Sequence, residues 1–247
     1  MAQKSAGFVT NEGVFSVRRL QRGPAPGFWT REQVKVWTRR WLDKVCEGHD
    51  WYWPQHKKKG INQHAYEAME PWHHYKCAFC ETPLWGTREI EHFWAKTKHP
   101  LAAFVWRNLF LICGDCNRAK GAEDHAGCLK PDREDPIDYL WVDPILLKMK
   151  PKPGISEGAR QRAQRTIERY GLDRPELKKT CAMYLELVLH SVSLTDLISQ
   201  TSPKVYLEPA KLQALAQPEK PFSLMAECLL KHYAKGANTL KEHNHVR

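Results

Sequence analysis

The sequence predicts an α+β protein in which a small cysteine-stapled core is embedded in mostly α-helical flanking regions. Two observations lead to this prediction. Apolar stripes at helical spacing, with capping residues, lie before residue 75 and after residue 155. Two Cys-x-x-Cys pairs lie between them. We therefore divide the chain into four predicted segments, with the core in the second: residues 1–74, 75–130, 131–200 and 201–247.

Two helices are predicted in the amino-terminal flank. Thr30 and Gln33 have the spacing of a capping box, in which side chains satisfy the first free amides of a helix. A helical stripe follows, made of Val34, Trp37, Trp41 and Val45. A second helix is predicted over residues 62–74. The five tryptophans between Trp29 and Trp53 are predicted to be core residues rather than a platform for stacking bases.

The carboxy-terminal flank begins with a stretch, residues 123–154, whose prolines predict loops. Three helices are predicted beyond it. Each begins either at a residue whose side chain can cap a helix or at the first residue of an apolar stripe. They run from a cap at Ser156 to Tyr170, from a cap at Asp173 to about His190, and from Phe222 to Lys235.

Length, charge and cysteine usage bound the class of protein. The 247 residues are 42% hydrophobic and 27% charged, which allows a buried core. Lys and Arg number 38 against 28 Asp and Glu, and the net charge of +10 favours polyanionic partners such as DNA. No signal peptide or membrane span is recognisable. We therefore expect a cytoplasmic protein without a membrane partner, whose cysteines stay reduced.

Four cysteines, Cys77, Cys80, Cys113 and Cys116, form two Cys-x-x-Cys knuckles. A two-residue gap lets two thiolates converge on one tetrahedral ion, so two knuckles predict a structural zinc site with a closed shell. The alternatives are four buried core thiols or one redox-active pair. The remaining cysteines are predicted to be buried apolar residues, with a Cys128–His125 metal pair as an alternative: Cys46, Cys128, Cys181 and Cys228.

The residues between and after the knuckles carry the chemistry. They read EIEHF at 89–93, WRNLFLI at 106–112 and CGDCNRAKG at 113–121. This order resembles the HNH, or ββα-metal, endonuclease family. In that family an acidic-His pair on a strand and an Asn-Leu strand precede Cys-x-x-Cys-Asn-x-x-Lys-Gly at the start of a helix. The resemblance implies a small ββα-metal HNH core built around a four-cysteine zinc knuckle.

Hydrolysis of a phosphodiester needs an activated water and charge stabilisation at the phosphoryl oxygens. His92 is the candidate general base, because a neutral imidazole can take a proton from water. Glu91 is the candidate ligand of a hard divalent ion, Mg²⁺ or Mn²⁺. Glu89 lies on the same side of the strand and either assists the metal or is exposed.

The HNH resemblance adds four further residues to the candidate site. It implies that Asn117 is the second ligand of the divalent ion and that Asn108 orients the region of His92. Lys120 follows Asn117 on the same helical face, and it can contact the scissile or a neighbouring phosphate, as can Arg118.

A narrower resemblance lies in the flanks of this region. The stretches RGPAP at 22–26, KCAFCE at 76–81, EHF at 91–93 and TIERYGLDRPEL at 166–177 are similar to those of the PtuB-type HNH proteins of Septu and retron anti-phage systems. This resemblance implies a PtuA-like ATPase partner, a hetero-oligomeric complex and a role in phage defence.

Three functions follow as hypotheses from these patterns. The leading one is a DNA endonuclease that acts as the effector of a defence complex. The second is a stand-alone restriction-type or RNA-cleaving HNH nuclease. The third is a zinc-ribbon module that binds nucleic acid without catalysis, and the presence of Glu91, His92 and Asn117 together argues against it.

Overall fold

The computed structural model describes residues 19–85, 88–122, 127–143, 146–184 and 213–231. Helices and short antiparallel strands make up the regular structure of these residues, which agrees with the predicted α+β class. The predicted helix ends at His190 and Lys235 lie outside the described residues, as does His125 of the alternative metal pair. The division into four segments stays a prediction.

Two helices flank a short hairpin in the amino-terminal region: α1 (Arg31–Cys46), β1 (Gln55–His56), β2 (Lys59–Gly60) and α2 (Ile61–His73). The Thr30 hydroxyl accepts a hydrogen bond from the Gln33 amide at 3.2 Å, so α1 begins at its predicted cap.

The predicted stripe of α1 is only partly buried. Trp37 and Trp41 are buried in the core, and Val34 packs against it. Val45, in contrast, is exposed. The predicted apolar stripe therefore packs on the core as far as Trp41 but not in the last turn of the helix.

The centre of the chain forms a strand–strand–helix unit. The strands β3 (Glu89–His92) and β4 (Leu109–Ile112) pair antiparallel, with Glu91 opposite Phe110. The helix α3 (Gly114–Lys120) follows β4 after a single residue. The connection between the strands contains two short 3₁₀ turns, Pro100–Ala102 and Trp106–Asn108. All four residues of β4 are buried, because α2 covers one of its faces.

The carboxy-terminal region contains a hairpin within the stretch predicted as loops. Its elements are α4 (Pro136–Tyr139), β5 (Leu140–Val142), β6 (Met149–Pro151) and α5 (Glu157–Arg169), and residues 175–184 and 223–231 are also helical. Strands of three residues are too short for a period to be recognised. Two of the prolines that indicated loops have other places: Pro136 begins α4 and Pro151 ends β6.

The caps around α5 differ in outcome. Ser156 accepts a hydrogen bond from the Ala159 amide at 3.3 Å, as predicted, and the chain turns at Gly171 with a φ of +57°. The next helix begins at residue 175, so Asp173 lies one position too early to cap it. The Asp173 carboxylate pairs instead with Lys178 at 2.9 Å.

One hydrophobic cluster runs through the described residues, from Trp29 near α1 to Leu229 in the last helix. The tryptophans of the amino-terminal flank belong to it or pack against it, as predicted. None of the described helices combines the length and apolar character that crossing a membrane would require.

Candidate active site and metal centre

The two cysteine knuckles converge. The Sγ atoms of Cys77, Cys80, Cys113 and Cys116 all lie within 4.8 Å of one another, and all four residues are buried. Tetrahedral Zn–S bonds of about 2.3 Å place sulfurs slightly less than 4 Å apart, and Cys80 and Cys113 lie 3.6 Å apart. Four sulfurs at this spacing fit one zinc ion. Cys113 also caps α3, which attaches the centre to the candidate catalytic helix.

A guanidinium lies against the same sulfurs. Arg174 donates to Cys116 at 3.5 Å and approaches Cys80 at 3.8 Å and Cys113 at 3.9 Å. Burial lowers the pKa of Arg174, but attraction by the Cys116 and Cys80 thiolates outweighs it and raises the pKa above its ordinary value. A site of four thiolates and one Zn²⁺ has a net charge of −2, which Arg174 partly neutralises.

The other cysteines differ from one another. Cys128, Cys181 and Cys228 are buried, as predicted for apolar residues, whereas Cys46 is exposed at the end of α1, so its prediction was wrong. Cys46 lies next to the exposed Val45 in the last turn of α1.

Two acids of β3 face α3. Glu91, which is 2% exposed, pairs with the Lys120 ammonium at 2.5 Å. The same ammonium donates to the His92 carbonyl at 3.2 Å. One turn earlier on α3, the Asn117 amide donates to the Glu89 carboxylate. The helix therefore runs along the strand, with an amide and an ammonium against the two acids.

The His92 ring lies in an aromatic enclosure. Trp53 stacks on it at a centroid distance of 5.6 Å, and Trp51 meets it edge-on at 5.1 Å. The ring donates to the backbone of Ala103. Its Nε2 atom is buried and has no hydrogen-bond partner within the described part of the chain. Nδ1 is therefore the donor, and Nε2 carries the lone pair.

This environment keeps the imidazole neutral. Burial is the largest cause, and the ammoniums of Lys96 and Lys120 add to it, so that the pKa of His92 falls to about 3. Lys120 thus links the two neighbouring residues of the acidic-His pair, since it binds the Glu91 carboxylate and also acts on the His92 ring.

Asn108 holds the loop that carries the Ala103 carbonyl. Its side-chain oxygen accepts from the Trp94 amide at 2.6 Å, and its nitrogen donates to the carbonyls of Trp94 and Ala102, each at 3.0 Å. The side chain is 2% exposed and lies in backbone contacts on every side. The orienting role that the sequence assigns to Asn108 stays a prediction.

The structure adds residues that the sequence did not identify. Lys96 lies beside His92, with its ammonium 4.9 Å from the Trp51 ring. Burial lowers the pKa of Lys96, Lys120 lowers it further, and Glu91 raises it. Trp51, Trp53 and Arg174 also contact the candidate site from distant parts of the chain. Arg118, in contrast, is largely solvent-exposed and pairs with Asp115.

Comparison with known proteins gives one relative over part of the chain. No protein-family model matches the sequence. A segment of 84 residues is 32% identical to "Septu protein PtuB" of Bacillus thuringiensis. The match covers 32% of this chain and 33% of PtuB, so it spans about a third of the relative's length. Over that segment, the chain is similar to a Septu protein.

Proposed function

We propose that the chain is a metal-dependent endonuclease of the HNH type, which hydrolyses phosphodiester bonds of DNA. The observation that carries this proposal is the state of His92. Its ring is buried and neutral, Nδ1 is bound to a carbonyl, and Nε2 is unpaired within the described residues. Nε2 carries the lone pair that a general base uses. Burial beside two ammoniums lowers the pKa of His92 to about 3, so a phosphate that offsets their charge would have to raise this pKa for catalysis.

In the proposed reaction, His92 Nε2 takes a proton from a water molecule. The water oxygen forms a bond to phosphorus as the bond to the leaving oxygen breaks. The hydrogen bond to Ala103 supports the role, because it fixes the tautomer that leaves Nε2 available. Asn108 acts as a positioning residue, since it holds the loop to which Ala103 belongs.

Glu91 and Asn117, with Glu89 beside them, offer oxygen ligands to a hard cation. The Lys120 ammonium pairs with Glu91, so a divalent ion would share this carboxylate with Lys120 or displace it. Among the described residues only the four cysteines form a convergent group of three or more His, Cys, Asp or Glu. Phosphate oxygens and waters would therefore complete the shell, as is usual for Mg²⁺. When bound, Mg²⁺ or Mn²⁺ supplies Lewis-acid stabilisation of the phosphoryl oxygens.

Lysines beside the base can neutralise the phosphate. Lys120 and Lys96 both act on the His92 ring, so a phosphate that reaches Nε2 also comes close to two ammoniums. Arg118 is placed for phosphates farther along the strand, because its side chain is largely exposed. A phosphodiester can reach Nε2 only if the indoles of Trp51 and Trp53 move aside, since the side chain of His92 is 4% exposed.

The similarity to PtuB supports a biological setting for this chemistry. We propose that the chain is the nuclease of an anti-phage defence system and forms a hetero-oligomeric complex with a PtuA-like ATPase. The net charge of +10 supports DNA as the substrate, because a basic protein gains affinity by releasing counterions from the phosphate backbone.

Incubation of the purified chain with plasmid, single-stranded DNA and RNA tests this proposal, with Mg²⁺ or Mn²⁺ in one arm and EDTA in the other. We expect cleavage of DNA that requires the divalent ion and falls by at least about 100-fold in His92→Ala. His49→Ala is the matched control, because this histidine is exposed. Equal cleavage by His92→Ala and wild type would refute the enzymatic assignment, and cleavage of RNA alone would change the substrate.

A further inference from the structure

Helix α5 carries three arginines along one side. Arg162, Arg165 and Arg169 follow one another at intervals of three and four residues, which places them on one face of a helix. All three guanidiniums act on the thiol of Cys128, whose pKa they lower against the larger, opposite effect of burial. The shared neighbour supports a common orientation. We call these residues the arginine row.

The outer part of the arginine row carries positive charge that no described acidic residue neutralises. Arg162 pairs with Glu134 and donates to the Cys128 carbonyl at 3.3 Å, which anchors the row to the body of the protein. Arg165 is exposed and Arg169 partly exposed, and neither forms an ion pair with any residue that the structure describes. Two guanidiniums without an acidic partner are therefore available to an anion from solution.

The arginine row leads towards the candidate active site. The chain turns at Gly171, directly after α5, and a Cβ at this glycine would lie 3.2 Å from the Cβ of Ala119 in α3. Ala119 is the neighbour of Lys120, which pairs with Glu91. Tyr170, the residue before Gly171, is buried, and burial is the larger cause of the raised pKa of its phenol. The Glu91 carboxylate lies close enough to raise this pKa further.

We propose that the arginine row binds the phosphate backbone of DNA next to the scissile bond. This inference rests on the proposed nuclease function, and it assigns the side of the molecule along which the substrate lies. From Arg162 to Arg169 the helix rises seven times, or about 10 Å at 1.5 Å per residue. That length matches about three phosphates of one strand, at 3.4 Å each along the duplex axis. A guanidinium binds phosphate oxygens through two parallel hydrogen bonds, and contacts to phosphates carry no base preference.

The test uses His92→Ala as a background that does not cut, so that binding is measured separately from cleavage. Affinity for a fluorescent 30-base-pair duplex is measured at several salt concentrations in this background and in the same chain with R165Q and R169Q. The matched control is R39Q with R40Q, since these two exposed arginines of α1 remove the same charge elsewhere. Thermal melting of each chain checks that the fold is retained.

We expect R165Q with R169Q to weaken binding by at least about tenfold and to reduce the slope of log K against log salt by about two, while the control changes little. Equal weakening by the control pair would overturn the arginine row as a site, as would unchanged binding by R165Q with R169Q. In either case, DNA cleavage by wild type would leave the proposed nuclease function intact. If the His92→Ala chain bound an acidic protein but no DNA, the assignment of this surface to DNA would fail.

Discussion

A single guanidinium from a distant part of the chain lies against three of the four sulfurs. Arg174 lies within 3.5–3.9 Å of three of them, and it comes from a turn almost sixty residues beyond the second knuckle. Its charge offsets that of the thiolates, which would otherwise be buried with an uncompensated charge. Retention of zinc should therefore depend on a residue that is not itself a ligand.

The variant Arg174→Gln should lose zinc more readily than wild type. Contacts of this kind around a metal ligand are worth about 10- to 100-fold in metal affinity, so we expect at least about tenfold faster transfer of zinc to a chromogenic chelator. Arg174→Lys keeps the charge and should show an intermediate rate. An unchanged rate in Arg174→Gln would mean that the contact with the sulfurs has no influence on the metal.

His73 offers a second test at the level of one residue. The ring is fully buried, and its Nε2 accepts a hydrogen bond from the Leu111 amide at 3.2 Å. Burial, followed by repulsion from Arg22, lowers the pKa of His73 well below its ordinary value. The unfolded chain therefore binds a proton at this residue near pH 6.5, while the folded chain does not.

Stability should accordingly fall as the pH decreases from about 6.5 towards the lowered pKa of the folded state. His73→Gln keeps an acceptor for the Leu111 amide but does not titrate, so its free energy of unfolding should change less between pH 7 and pH 5. Denaturant unfolding at several pH values measures the difference. The exposed His49→Gln serves as control and should follow wild type. If the free energy of unfolding of His73→Gln changed with pH as much as that of wild type, His73 would not be the source of the pH dependence.

At the level of elements, the loop between β3 and β4 matters most for the candidate site. It is not a regular element, yet the three hydrogen bonds of Asn108 fix it at Trp94 and Ala102, and the Ala103 carbonyl next to this anchor holds the His92 ring. The orientation of the candidate base thus depends on a buried amide in the 3₁₀ turn that directly precedes β4.

Asn108→Ala should destabilise the protein by about 2–3 kcal/mol, because it leaves buried backbone groups without partners. The rate of DNA cleavage should fall by more than the loss of folded protein accounts for, when it is measured at a temperature at which the variant is folded. Asn108→Asp, which retains an acceptor for the Trp94 amide, should recover part of the stability. Full cleavage by folded Asn108→Ala would separate Asn108 from the positioning of His92.

The sequence predicted elements whose signals are local. The caps at Thr30 and Ser156 and the spacing of the knuckles each depend on a few neighbouring residues, and the structure agrees with them. The hairpin of β5 and β6 was missed because each strand has three residues. Trp51, Trp53 and Arg174 were missed for another reason: their contacts with the site depend on long-range packing, which leaves no local pattern.

At the scale of the whole molecule, the first knuckle also holds the last described helix. The Glu81 carboxylate, one residue after Cys80, accepts from the Ser223 hydroxyl at 2.8 Å and from the Leu224 amide at 2.9 Å. Lys76 donates to the carbonyl of Lys220 at 2.9 Å on the same segment. A carboxylate at the start of a helix satisfies free amides and interacts favourably with its dipole.

Glu81→Ala should therefore loosen residues 213–231 while leaving the zinc site in place. We expect faster cleavage in this segment during limited proteolysis, and a loss of about 1–3 kcal/mol in the free energy of unfolding. The zinc content should remain at one ion per chain, which distinguishes the effect from a lost knuckle. Protection of the segment equal to that in wild type would show that the apolar contacts of the helix suffice.

The position of the four sulfurs has a further consequence for the life of the protein under oxidative stress. Peroxide or hypochlorous acid that converts these thiolates to disulfides or sulfenic acids expels the metal. Through Cys113 the damage reaches the helix of the candidate site, and through Glu81 it reaches the far end of the fold. One chemical event would thus disturb the candidate site and loosen the last described helix together.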